Sequence, residues 1–374
     1  MTRYRIYLFV TPLLLVSILA VILAFMPGLT RAASGGFYQQ TNLVSDIPGM
    51  AKFTDPNLKN PWGISHNAAS PWWVSDNNAG VATLYRGDGT AVPLVVNIPL
   101  PGSPTGGTPT GNVFNVSPNP NDFVVSSGGK SGKSLFIFAT EDGTISGWAP
   151  SVDATNAILA VDNSGPAGAV YKGLAIAQNA SGNVFLYATN FRDGVVEMYN
   201  SNFNKVLSFT DKNLSNNCPL PGQCFAPFGI QVLNGKLYVT YALQKPGGHD
   251  DQAGRGNGFV DVFDLDGNFI QRLASGGKLD SPWGLAVAPL SFGGFGGDLL
   301  VGNFGDGRIN AFDPATGDFL GQLKSQDGKR ITIDDLWALG VGNDGGAGPS
   351  STLFFTAGIN DEADGLFGSI TPIT

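Results

Sequence analysis

An all-β ring of six four-stranded units is the fold this sequence predicts, and three observations predict it. The first is a repeated motif. Asn60-Pro61-Trp62-Gly63-Ile64 returns as Ser281-Pro282-Trp283-Gly284-Leu285 and, more loosely, as Ala226-Pro227-Phe228-Gly229-Ile230, with weaker copies at Tyr171-Lys172-Gly173 and Leu336-Trp337-Ala338. From 173 to 228, 283 and 337 the steps are 55, 55 and 54 residues, a period that holds one four-stranded blade of a β-propeller. The second is turn chemistry: Asn77 to Gly80, Glu141 to Gly143, Phe191 to Gly194, Phe304 to Gly307 and Ala363 to Gly365 all end in Gly at the same place, between the second and third strands of a unit. The third is a complementary deficit at the two ends. The last unit holds only three strands, and Phe37 to Ser45 is a strand without a hairpin partner, so the N-terminal strand is expected to complete the last blade.

Each motif copy leads into a short β-rich run: Trp72 to Ser75, Val184 to Thr189, Leu237 to Tyr241, Asp298 to Gly302 and Leu353 to Ala357. A second turn series, at Gly87-Asp88-Gly89, Asp266-Gly267-Asn268 and Asp313 to Gly317, separates strands three and four. In blade two the strands Leu135 to Thr140, Thr144 to Trp148 and Ala157 to Val161 are clear, while the inner strand is either Val113 to Val116 or Phe123 to Ser126. Phe53-Thr54-Asp55 before the first motif copy is echoed by Phe209-Thr210-Asp211 before the fourth-blade copy, three blades away, which suits an even blade number. Within the motif, Trp or Phe fills the wedge between blades and Gly lets backbones approach near the axis, so Trp62, Phe228, Trp283 and Trp337 read as packing residues.

Residues 1–34 read as an export leader: Arg3 and Arg5, an apolar run from Ile6 to Met26, then small residues around Ala32, Ala33 and Ser34. The run suits a cleaved signal peptide and is also long enough for an uncleaved membrane anchor. Residues 35–374 are expected to form one propeller domain outside the cytoplasm, secreted or at the cell surface. Three of the 21 Lys and Arg lie in the leader, which has no carboxylate, so the remainder sets 18 basic against 29 acidic residues, a net charge of −11. That balance, with no basic stripe, excludes nucleic acid and anionic lipid as partners. Cys218 and Cys224, six residues apart, are expected to form a local disulfide, since two thiols alone half-fill a zinc site.

Function is expected at the end of the ring where the loops entering the inner strands meet the turns between strands two and three. Long insertions gather there, at Leu100 to Asp122, Asp211 to Ala226 and Ala242 to Gly258. The same end collects Asp76, Asn77, Glu141, Asn190, Asn303 and Asn360, each just after a second strand, with His249, Asp250 and Asp251 in the insertion of blade four. Oxygen ligands converging on an axis suit Ca²⁺, with Asp76, Glu141, Asn190 and Asn303 as candidates. No nucleophile elbow, zinc helix, phosphate loop or dinucleotide fingerprint occurs.

Thr41 to Asp46, Asp55 to Leu58, Asn60 to Ile64, Phe136 to Trp148 and Gly256 to Asp264 together resemble an uncharacterised family of exported bacterial propeller proteins. Some members carry a C-terminal Pro-Glu-Pro sorting signal, which Ile373-Thr374 does not match. More distantly the chain is similar to NHL-repeat and gluconolactonase-like propellers, some of which hold an axial Ca²⁺ or Zn²⁺; their ligands do not map residue by residue onto this sequence. The expectation is a monomeric ligand- or partner-binding module for an extracellular small molecule, glycan or protein, with a metal-dependent hydrolase or lactonase as the alternative and a purely structural role as a third.

Overall fold

A computed structural model describes residues 36–216 and 218–373. The leader reading lies outside the described residues. Among those described, no helix is long and apolar enough to cross a membrane.

The described residues form a six-bladed β-propeller. Blade one is Pro61–Ser65, Trp72–Asp76, Val81–Tyr85 and Val96–Asn97; blade three is Tyr171–Gln178, Val184–Asn190, Val195–Tyr199 and Lys205–Phe209. Blade four is Phe225–Leu233, Lys236–Leu243, Gly258–Phe263 and Phe269–Ser275, and blade five is Pro282–Val287, Leu299–Asn303, Ile309–Phe312 and Phe319–Gln322. Blade two settles the alternative left by its sequence: the inner strand is Pro109–Phe114, overlapping the first candidate, while Val124–Ser127 pairs with Lys130–Lys133 in a separate hairpin. That hairpin closes through Gly128 and Gly129, both at positive φ, which keeps residues 124–127 from the blade.

Blade six shows the closure expected from the strand deficit. Leu336–Val341, Leu353–Ala357 and Leu366–Pro372 are completed by Tyr38–Ser45, antiparallel from Tyr38 opposite Pro372 to Ser45 opposite Leu366. Phe53–Thr54 then adds a short parallel strand outside it. Tyr38 and Val44 are 1 % exposed, so this strand belongs to the core.

The motif does what its residue types imply. A Cβ on Gly229 would lie 2.2 Å from the Trp283 carbonyl oxygen, and one on Gly284 2.5 Å from that of Trp337, so each glycine admits the backbone of the next inner strand. Second-strand threonines stitch neighbouring blades: the Thr189 hydroxyl donates to the Phe228 carbonyl at 2.8 Å and that of Thr356 to the Trp62 carbonyl. The turn glycines 80, 143, 194 and 307 have positive φ as expected. Blade six differs. Asn360, Asp361 and Glu362 take the left-handed conformation instead, and Gly365 serves close approach, since a Cβ there would lie 1.9 Å from the Leu58 carbonyl oxygen.

Candidate functional site

The aromatic residues of the inner-strand motif meet on the axis and plug it. Trp62 stacks on Trp337 with ring centres 3.4 Å apart, Trp283 stands edge-on to both, and Phe304 stacks on the other side of Trp337 at 4.1 Å. Phe228 and Phe191 extend the cluster. The Trp337 indole N–H donates to Asn60 Oδ1 at 2.9 Å, fixing the plug to the loop that enters blade one.

Above the plug lies a cavity of about 460 Å³. It opens at the end carrying the turns between strands two and three, where sequence placed the function. The position that holds an aromatic residue in blades one, four, five and six holds Lys172 in blade three, and its ammonium lies 4.9 Å from the centre of the Trp62 ring. Lys172 is 2 % exposed and ion-paired with Glu141. The other Glu141 oxygen accepts from Asn77 Nδ2 at 3.0 Å. Glu362 enters from the left-handed turn of blade six and accepts from Asn60 Nδ2 at 2.8 Å.

The insertion of blade four, residues 244–257, closes one side. It is a small tied hairpin and not a free flap: Lys245 N–H donates to the Asp250 carbonyl at 2.8 Å, and Gln252 N–H to that of Leu243 at 2.6 Å. Gln244 Nε2 reaches the Phe191 carbonyl, and Gly254 N–H donates to Asp280 Oδ1 at 2.7 Å. Gly247 and Gly248, both at positive φ, make its tip. It presents Lys245, His249, Asp250 and Asp251 to the cavity, and His249 Nδ1 lies 2.7 Å from Asp250 Oδ1.

The wall thus carries Glu141, Asp250, Asp251, Asp361 and Glu362 against Lys172 and Lys245, a net excess of negative charge. Burial acts on Asp250, but the His249 hydrogen bond with Lys172 and Lys245 nearby outweighs it and holds the carboxyl below its ordinary range. Burial wins at Asp251 and raises it, against the Ser281 hydroxyl and the same lysines. Glu362 is also raised, by burial and by Glu141 and Asp251, with Asn60 and Lys172 opposing. The two adjacent carboxyls are therefore shifted in opposite directions by their surroundings.

Of the residues singled out from sequence, Asn77, Glu141, His249, Asp250 and Asp251 line this cavity. Asp76, Asn190, Asn303 and Asn360 are not among its lining residues. Asp76 is buried inside blade one, where burial pushes its carboxyl well up and the Thr83 hydroxyl donates to it at 2.7 Å. Asn190 bonds to Asp193 and Glu197 within blade three, Asn303 to Asp306 and the Lys278 carbonyl, and Asn360 to Asp364. The four candidate calcium ligands are thus not gathered around this cavity; only Glu141 reaches it. Sequence reasoning missed Lys172, Asn60, Asp361 and Glu362. The signal for Lys172 was present, a lone cation at an aromatic position of the repeat. Cys218 and Cys224 form the expected disulfide at the flank of blade four.

Fold and site together define a six-bladed propeller with a plugged axis and an acidic cavity above the plug. No family model matches the chain. It is 34 % identical over 337 residues to uncharacterized protein R648 of Acanthamoeba polyphaga mimivirus, covering 88 % of this chain and 78 % of that protein. It is 31 % identical over 335 residues to uncharacterized protein L690 of the same virus, covering 88 % and 84 %. The chain belongs to the family these proteins represent. Among solved structures it is similar to a streptogramin B lyase, at 10 % identity and TM-score 0.47 over 91 % of this chain and 99 % of that one. It is also similar to a PQQ-bound aldose sugar dehydrogenase from Streptomyces coelicolor, at 13 % identity and TM-score 0.47 over 90 % and 98 %.

Proposed function

We propose that the protein is an exported, monomeric binding module that takes a small polar ligand in the axial cavity. The observation that carries this is the coincidence of the one long insertion between second and third strands with a buried Lys172–Glu141 pair at the same cavity. A rigid ring does not need a charged pair inside its aromatic plug, because burying the charges costs more than an apolar pair of the same volume. The negative excess disfavours anionic ligands and suits neutral hydroxylated or cationic ones. Export, and with it kinship to the exported bacterial proteins the motifs resemble, is supported by the disulfide, which forms and persists in oxidising compartments.

The experiment is a thermal-shift screen of neutral sugars, polyamines and divalent cations on residues 35–374, repeated with His249→Ala/Asp250→Asn. A stabilising compound whose effect disappears in the double variant supports the reading. Hits that are indifferent to the double variant, or a screen without hits, reject it.

A second reading, a metal-dependent hydrolase or lactonase, is favoured by one observation: Glu141, His249 and Asp250 offer ligand atoms within 4.8 Å of one another. A bound metal would supply a Lewis acid and an activated water. Ca²⁺ is the less suitable ion, because a His nitrogen replaces one of the oxygens it prefers.

A further inference from the structure

A second cavity, of about 470 Å³, opens at the opposite end of the axis. Its wall comes from the far ends of the inner strands of five blades, among them Ile64, Phe114, Ile176, Val232 and Leu339. Four of its residues, Ile64, Asn112, Gln231 and Leu339, also line a void of about 30 Å³ that reaches Trp283 of the plug. A void of that size holds about two waters, so the cavity has a closed floor. Val116 on its rim is 49 % exposed, and Ile64, Phe114, Val232 and Val341 are only half-buried. A contiguous apolar surface left open to water, and concave, is the usual form of a small-molecule pocket.

The polar groups of the wall say what kind of molecule fits. Among the described residues no Lys, Arg, Asp or Glu lines it. His66 is its one titratable residue, and both ring nitrogens are turned to backbone, 2.8 Å from the Asn67 carbonyl oxygen and 2.9 Å from that of Val341. Asn112 Nδ2 donates to the Gly63 carbonyl at 2.8 Å and to Ser75 Oγ at 2.9 Å, while its Oδ1 accepts from the Ser65 hydroxyl. The Trp72 indole N–H donates to the Ala347 carbonyl at 2.8 Å. Gln231 is left over: its residue is exposed and its side-chain amide takes part in no hydrogen bond among the described residues.

We propose that this lower cavity is a second binding site, for an uncharged, largely hydrocarbon small molecule whose single hydrogen-bonding group is met by Gln231. Charge matching excludes the alternatives. An anionic or cationic head would lose water on entry and find no opposite charge, a cost that the apolar wall does not offset. A hydrocarbon body gains by its own burial and by covering the half-buried side chains of the wall. The closed floor and the walls of short strand ends favour a compact molecule over a protein surface. The inference goes beyond the polar site at the other end of the ring and does not depend on it.

The probe is Nile red, an uncharged apolar dye that brightens when it leaves water, titrated into the protein and then displaced by 1-decanol or by decanoate at pH 8, where the acid is ionised. Nile red is expected to bind at one equivalent, and decanol to displace it at a concentration at least about tenfold lower than decanoate. Gln231→Leu should weaken decanol several-fold by removing its hydrogen bond. Val232→Lys, which puts an ammonium into the mouth, should weaken Nile red by at least about tenfold and reverse the preference toward decanoate. Val116→Lys on the exposed rim repeats that test if the first variant does not fold. Absence of Nile red binding overturns the site, and binding unchanged in a folded lysine variant places the dye elsewhere and overturns it too. Decanoate competing as well as decanol in the parent overturns the charge argument. A dimer in light scattering that Nile red dissociates would make this mouth an interface between two copies of the chain, and the small-molecule inference falls.

Discussion

The two mouths of the propeller axis are built by the same six inner strands and have opposite character. The upper one, above the tryptophan plug, is walled by five carboxylates, two lysines and His249, delivered mainly by turns and by the loops that enter the inner strands. The lower one, of similar size at about 470 Å³, is lined by Ile64, Phe114, Val116, Val232, Leu339 and other residues at the far ends of the inner strands. His66 is there, with both ring nitrogens against backbone carbonyls of Asn67 and Val341. The strands therefore supply the apolar scaffold and the turns supply the charge. Lys172 is the exception, a charged residue on an inner strand, and it lines the upper mouth.

Four experiments break or sharpen this contrast. Deleting residues 37–45 should have the largest effect, because it uncovers Phe367 and Ile370 in blade six and abolishes both mouths together. A loss above ~5 kcal/mol, most of a domain's stability, is expected from the apolar burial of Tyr38, Leu43 and Val44, and a denaturant melt no lower than the parent's would contradict the closure. Trp337→Ala should join the two mouths by opening the plug, at a cost of ~3–5 kcal/mol for a large buried aromatic. If the variant is as stable as the parent, the ring does not depend on its axial stack.

The third experiment asks what it costs to hold the left-handed turn that delivers Glu362, whose backbone N–H donates to Asp335 Oδ2 at 3.3 Å. Burial, with Asp334 and Glu362 adding to it, pushes Asp335 from 3.8 up to about 7. A carboxyl raised in the folded state stabilises while protonated, and that contribution is lost as pH rises through about 7. Asp335→Asn should therefore match the parent near pH 4 and exceed it by ~1–2 kcal/mol above pH 7, less than the full shift because solvent screens a partly exposed group. A variant advantage that is constant between pH 4 and 8 would refute the assignment. The smallest effect belongs to His249→Ala. Its half-exposed ring should leave stability within ~0.5 kcal/mol, and a larger drop would make the hairpin tip part of the fold.

Blade number and closure were legible because they rest on backbone requirements that only a few residue types meet: Gly where strands crowd, Gly after Asp or Asn in turns. Blade two was ambiguous for the same reason, since residues 109–114 lack the aromatic of the motif and begin with Pro109-Thr110-Gly111. The site was legible only where an insertion carried it. His249, Asp250 and Asp251 announced themselves by interrupting a short turn. Asp76, Asn190 and Asn303 share the same strand-end position, yet their side chains are spent on their own blades, at Thr83, Glu197 and Asp306. Which way a strand-end side chain turns is decided by such neighbours, and a spacing does not encode them.

The closing strand has a consequence for how the molecule is made. Its residues leave the ribosome before any of the other strands and their partners at 366–372 follow the first five blades, so more than three hundred residues intervene before the pair can form. Joining such distant segments is entropically slow compared with hairpin formation inside a blade. Blades one to five can assemble as the chain emerges, each against its predecessor, while blade six waits with a bare edge. Until residues 38–45 dock, that edge is equally open to the same strand of another molecule, and at high chain concentration the circle can close between two copies instead of within one.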